Sequence, residues 1–342
     1  KRYSHIESLG SIDPMTLQSS FEGIDDLSLI KEGYHDYQAL TAALQSVELS
    51  HPNLATVESI GESVNGRQLW MAKMTDKSIS TPKIKLLYVG NMHGDEAVGR
   101  EMLIKLIEDF AANFGQDSKI THLLTHAEIF IVPSMNPDGF ESARRHNANY
   151  RDLNRNFPDF TSDPSDSEDG REPETIAIMR LHQQHHFVLA MNFHGGTVCM
   201  NLPWDTKPNF PAQERFGDVD LLQQLSETYA STNAEMYRNH GGSFEHGITY
   251  GYEWYEVDGG MQDWANNYRR SIHATAELSH AKFPSGSTLD GFWEANRAGM
   301  IDYLYGGLFG YFFQVVDQEG PAVDYVEVKV EGSSRWVRYQ GG

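Results

Sequence analysis

Apolar and polar positions along this chain follow two periods. In "YHDYQALTAALQSVEL", Tyr37, Leu40, Leu44 and Val47 fall on one helical face. "ATVESIGESVNGRQLWMAKMT" reads as two strands around an Asn65-Gly66 turn. "KIKLLYVG" is a short apolar strand, and "AVGREMLIKLIEDFAANFG" a helix closed by Gly115. "AEIFIVPSMNPDG" runs from strand into turn, and "REPETIAIMRLHQQHH" is a helix opened by Pro173. A buried strand, "FVLAMNFHGG", precedes "DVDLLQQLSETYAS", a helix capped by an aspartate. "SIHATAELSH" is a strand and "GSTLDGFWEANRAGMIDYLYG" a long helix. Buried strands alternating with helices predict an α/β fold, an α/β/α sandwich around a central mixed, largely parallel sheet. Ligands sit at the carboxyl ends of strands in such sheets. His93, Asn136, His194 and Glu277 all close predicted strands.

After Gly307 the pattern changes. "YFFQVVDQEG" and "YVEVKVEG" alternate with period two, as antiparallel strands do. The expected organisation is a catalytic domain over 1–306 and a small C-terminal all-β segment over 307–342. A β-sandwich takes ~100 residues, so this segment reads as the opening of a β domain that is incomplete as given. "SDPSDSEDGREPE" is expected to be a solvated, mobile acidic loop.

Composition narrows the partners. The chain has 342 residues, 39% of them hydrophobic, enough for one large core and a small appendage. Its formal charge is −21. That argues against nucleic acid and anionic membranes and would attract cationic substrates, although composition by itself favours the plainer reading, solubility alone. No apolar run reaches 18 residues, so no transmembrane helix is expected. The opening "KRYSHIESLG" has no apolar signal core, which implies a cytoplasmic protein or a mature secreted or periplasmic form without its leader. The absence of an Asn-x-Ser/Thr sequon disfavours a glycosylated eukaryotic secretory protein. The single Cys199 excludes an intramolecular disulfide and reads as a buried, inert thiol.

The chemistry begins in "VGNMHGDEAVGREML". His93 and Glu96, at i and i+3 across a strand-to-helix junction, can face one locus, and both residue types bind zinc. The pair alone is a weak signal, common in purely structural settings. His194, before Gly195-Gly196, is the candidate third donor. Two His and one Glu leave a tetrahedral position open, the catalytic arrangement. His182, His185 and His186 are read as solvated residues on a polar helix face, and the absence of His-Glu-x-x-His disfavours thermolysin-like enzymes. Glu277, among apolar residues on a buried strand, is costly unless paired or functional; beside a metal it would serve as general base and acid. Arg145, Arg151 and Arg155 suit either carboxylate recognition, with Asn154 as a neutral donor, or ion pairs with the acidic loop that follows. Tyr255 precedes the Gly259-Gly260 pair and could close over a bound substrate.

Seven strings in order carry a resemblance: "HGDEAVGREML", "PSMNPDGFE", "DLNRNFPD", "PETIAIM", "NFHGG", "WYEVDGGMQDW" and "AELSHAKFP". From about Tyr34 to Tyr305 the chain resembles the zinc metallocarboxypeptidases, in their regulatory N/E-type subfamily (carboxypeptidases D, E, M and N), and its tail resembles that subfamily's transthyretin-like β domain. The resemblance implies one zinc ion on His93, Glu96 and His194, with Glu277 as the catalytic glutamate and Arg145 stabilising the oxyanion. Asn154 and Arg155 would grip the terminal carboxylate, and Tyr255 would cap the bound residue. Asp205, with Gly251 and Gln262 at other pocket positions, implies a preference for C-terminal Lys or Arg on peptides or proteins. A monomer without nucleic-acid partners is expected. Two other readings stay open: an amidase or carboxypeptidase acting on peptidoglycan stem peptides ending in diaminopimelate, and an inactive binding member of the family.

Overall fold

The computed structural model describes residues 31–207, 217–238 and 244–309, together with the backbone of strands 325–329 and 336–340. The chain divides into two units, residues 1–308 and 309–342. In the first, eight strands form one sheet: β1 (Ala55–Glu62), β2 (Gln68–Met74), β3 (Ile84–Gly90), β4 (Ala127–Val132), β5 (Leu189–His194), β6 (Val198–Leu202), β7 (Ile248–Tyr250) and β8 (Ile272–Leu278). Their spatial order is β1-β2-β4-β3-β5-β8-β6-β7. The four central strands β4, β3, β5 and β8 run parallel, so their carboxyl ends share one edge. β2 lies antiparallel to β4, and β6 antiparallel to β8, which makes the sheet mixed.

Both faces of the sheet are covered, and this explains the unbroken apolar runs of the central strands. Along β3, Leu86 and Tyr88 enter one core while Leu87 and Val89 enter the other. The larger core takes in α1 (Tyr37–Ser50), α2 (Val98–Asn113), α3 (Ser118–His126), and, beyond the short α4 (Pro137–Glu141), residues from three later helices. The second core lies under α5 (Pro173–Gln184). After α5 come α6 (Val219–Thr232), α7 (Ala234–Arg238), α8 (Gly251–Trp254), α9 (Met261–Tyr268) and α10 (Leu289–Gly306). α6 and α10 join the larger core through Tyr229, Met300 and Tyr303, and α9 joins the second through Met261, Trp264 and Ala265. Each fully buried Leu or Phe contributes about 1.5–3 kcal/mol over its exposed state.

Local signals explain the element ends. Asp36 caps α1 by accepting from the Ala39 amide at 2.7 Å. Pro173 occupies the first turn of α5, where its missing N–H costs nothing. Asp218 does stand at the N-cap position of α6, but its side chain makes no capping bond. In the second unit, β9 (Tyr325–Lys329) pairs antiparallel with β10 (Trp336–Gln340). The expected strand "YFFQVVDQEG" lies outside the described residues. Among the described residues no helix is long and apolar enough to cross a membrane.

Two expectations are corrected. His182 is buried, because α5 turns the face carrying Ile178 inward and His182 follows one turn later. It packs edge-on against Phe187 and Trp264, with ring centroids 5.0 and 5.1 Å away. His185 caps the end of α5 and His186 lies beyond it, so neither belongs to a polar helix face. The acidic loop is also not simply solvated. Asp163 pairs with Arg171, Glu168 with Arg180 at 2.7 Å, and Asp166 with Arg269 and, at 2.9 Å, the Trp264 indole N–H.

Candidate metal centre and active site

The turn after β3 delivers His93 and Glu96 to the carboxyl edge of the sheet. Asn91, in the left-handed region at φ 56°, holds that turn by donating from Nδ2 to the His93 carbonyl at 2.9 Å and to the Gly94 carbonyl at 3.2 Å. Gly94 has no room for a side chain: a Cβ there would stand 2.1 Å from the Gly139 carbonyl carbon. Asn136, at the N-cap of α4, donates to the Met92 carbonyl at 3.2 Å and to the Arg145 carbonyl at 3.3 Å. It braces the turn and does not reach the cavity.

His194, the last residue of β5, points its Nδ1 at the same locus. His93 Nδ1 and His194 Nδ1 are 3.0 Å apart, and each lies 2.9 Å from Glu96 Oε2. All three side chains are buried. Among the described residues they form the one trio of His, Cys, Asp or Glu whose ligand atoms lie within 4.8 Å of one another. With His93 Nε2 protonated toward Asp152 Oδ1 at 2.9 Å, its Nδ1 presents a lone pair to that locus. Lone pairs aimed at one another in a buried site fit a divalent cation, and this donor set suits zinc.

A cavity of about 180 Å³ opens over the trio. Its wall also holds Arg145, Asn154, Asp205, Gly251, Tyr255 and Glu277. Glu277 lies opposite His194 in the β5–β8 register, and its Oε2 has no hydrogen-bond partner. Burial, then the Glu96 charge, pushes its carboxyl well above the usual carboxylate range. Arg145 donates from Nη1 to Glu96 Oε1 at 3.1 Å and from Nε to Asp152 Oδ2 at 2.9 Å. Asn154 accepts the Met261 amide on Oδ1 at 3.0 Å, which leaves its Nδ2 as a donor. Tyr255 is 47% exposed and packs on Trp254.

Asp205 is buried, and Asn201 donates to its Oδ1 at 2.7 Å. Burial raises its carboxyl to about 6, against the Asn201 bond and the Arg155 charge. Gly251 faces it so closely that a Cβ would come within 2.1 Å of Oδ1. Arg155 and Gln262 are not on the cavity wall. Arg155 is exposed and donates to the Asn154 carbonyl at 3.0 Å, although its charge is felt at Asp152 and Asp205. Gln262 is buried, with neither end of its amide bonded. Arg151 is not on the cavity wall and faces Glu172 at 4.0 Å, the ion-pair alternative. Sequence reasoning did not single out Asp152, Asn201, Thr275 or Lys282. Lys282 lies 3.1 Å from Glu96 Oε1, and it and Asp152 both sit inside strings already quoted, "AELSHAKFP" and "DLNRNFPD".

An α/β/α sandwich with a buried His-Glu-His trio at the carboxyl edge of its sheet is the architecture of the metallocarboxypeptidases. A carboxypeptidase A from Helicoverpa armigera superposes with a TM-score of 0.68 at 18% identity, covering 80% of this chain and 74% of that one. The chain belongs to the zinc carboxypeptidase family, whose sequence profile matches residues 40–299. It is 37% identical to mouse carboxypeptidase M over 87% of this chain and 71% of that protein. It is 35% identical to human carboxypeptidase D over 84% of this chain, which spans 22% of that longer protein.

Proposed function

We propose that the chain is a zinc-dependent exopeptidase that removes one C-terminal residue, Lys or Arg, from peptides and proteins. The observation that carries this reading is the meeting of His93, Glu96, His194 and Glu277 in one cavity that also holds a buried Asp205. Zinc held by the three donors, one ion per chain, would leave a coordination position for solvent and supply Lewis acidity toward a carbonyl and a water.

The chain's own residues supply the rest. Glu277, with a buried, unbonded oxygen on the cavity wall, takes a proton from the attacking water and returns it to the leaving amine. Arg145, held by Glu96 and Asp152, presents its guanidinium to the developing oxyanion, a contribution of about 3 kcal/mol per donor in such sites. Asn154, Arg155 and Tyr255 bind the terminal carboxylate. An internal residue has no such anion, so cleavage is confined to chain ends. Asp205 pairs with a cationic side chain; an apolar one would leave that buried carboxylate uncompensated. The −21 charge steers basic peptides toward the site.

The test is hydrolysis of peptides identical except for a terminal Arg, Lys, Phe or diaminopimelate, with and without a chelator. Release of a single Arg or Lys, abolished by chelation, is the expected result. Cleavage confined to diaminopimelate, or activity indifferent to metal, would overturn the proposal.

A further inference from the structure

Asp205 owes its position to a loop with little regular structure, the stretch following β6. Its backbone is tied at both polar groups. The Asp205 amide donates to both carboxylate oxygens of Asp263, at 2.9 Å each, and the Asp205 carbonyl accepts the Val257 amide at 3.0 Å. The next amide, Thr206, donates to Asp263 Oδ2 at 2.8 Å. The Thr206 hydroxyl reaches Asp159 Oδ2 at 2.5 Å from the other side, and Asp159 also accepts the Gly259 amide at 3.3 Å.

Asp263 is 1% exposed and absent from the cavity wall. It is the third residue of α9, yet its carboxylate bonds across to the loop at Asp205 and Thr206. Rigid α9 is thereby coupled to the loop that bears the specificity carboxylate. The tolerance is small, because Gly251 and Gly260 close on Asp205: added Cβ atoms would lie 2.1 and 3.4 Å from its oxygens.

We propose that Asp263 is the positioning residue for selectivity toward basic side chains, acting through the amides of Asp205 and Thr206 without touching substrate. The inference rests on the reading of Asp205 given above. It requires a carboxylate at 263. Both oxygens serve as acceptors, and an amide would turn one of them into a donor facing the Asp205 N–H. Asp263→Asn therefore disturbs the loop while conserving volume, and Asp263→Ala removes the tether entirely.

Both variants are to be compared with the parent on two peptides that differ only in a terminal Arg or Phe, alongside zinc content and thermal midpoint. Expected is a fall of about tenfold in the Arg-to-Phe ratio of kcat/KM for Asp263→Asn, carried mainly by KM for the Arg peptide, and a larger fall for Asp263→Ala. Should Asp263→Ala not fold, Asp263→Asn alone decides. A parallel loss on both peptides, or an unchanged ratio, reduces Asp263 to a structural residue and overturns the inference. A parent that cleaves both peptides equally overturns the reading of Asp205 and this inference together. A parent that cleaves neither overturns the exopeptidase reading itself.

Discussion

His93 Nε2 lies 2.9 Å from Asp152 Oδ1, and the other oxygen of that carboxylate accepts from Arg145 Nε at 2.9 Å. One side chain thus orients a candidate metal donor and the guanidinium beside it. His93 and Arg145 hold Asp152 far below the usual carboxylate range, although burial opposes them. Asp152→Asn is expected to weaken zinc binding by roughly 10–100-fold. Competition with a chromogenic chelator measures this without any substrate; unchanged zinc affinity would show that the Asp152 contact does not tune the metal site.

The role proposed for Glu277 separates chemistry from binding. Glu277→Gln should lower kcat by at least about 10²-fold while zinc stays at parent stoichiometry. The substitution also removes the cost of a buried carboxyl with an unbonded oxygen, so the metal-free variant is expected to melt at or above the parent temperature. Calorimetry and metal analysis on the same sample check both halves. Lost zinc would contradict the division of labour.

The cavity floor makes a steric prediction. Asp205→Ala should cut the preference for Arg over Phe by roughly 100-fold. Gly251→Ala should produce much of the same loss without altering any charge, because its methyl group meets Asp205 Oδ1 and Cα. A Gly251→Ala enzyme of undiminished preference would mean that the loop yields freely.

A pH dependence arises at a pair that does not line the cavity. His35 Nδ1 lies 2.6 Å from Glu101 Oε2, and Arg100 pairs with the other oxygen of that carboxylate. The bond to Glu101 raises the His35 imidazole above 6.5, with burial opposing it. A raised histidine stabilises the fold fully below its unfolded value and loses that contribution as pH rises through the folded one. The thermal midpoint should therefore fall between about pH 6 and pH 8 in the parent, and fall less in His35→Gln. Equal slopes in the two proteins would exclude the pair as the source.

Much of this was readable from residue order. β3, β5 and β8 announce themselves as apolar runs because both faces are covered, and His194 and Glu277 were visible as polar residues ending or interrupting such runs. Partnerships set by tertiary placement were not readable. Asp152 stands in a string dominated by Arg and Asn, and only the fold shows its two oxygens shared between His93 and Arg145. His182 looked polar because its neighbours are Gln183, Gln184 and His185; the phase of α5 buries it. Two of the acidic loop's arginine partners, Arg180 and Arg269, come from α5 and the end of α9, well beyond local pattern.

The two histidine donors are 101 positions apart and come from neighbouring strands, β3 and β5, while Glu277 arrives only with β8. No fragment that lacks β8 can possess the full reactive set. On the proposed reading, a chain still emerging, or one stalled partway, lacks Glu277 and is inert toward the peptides around it, and competence to cut arises in the same step that completes the sheet.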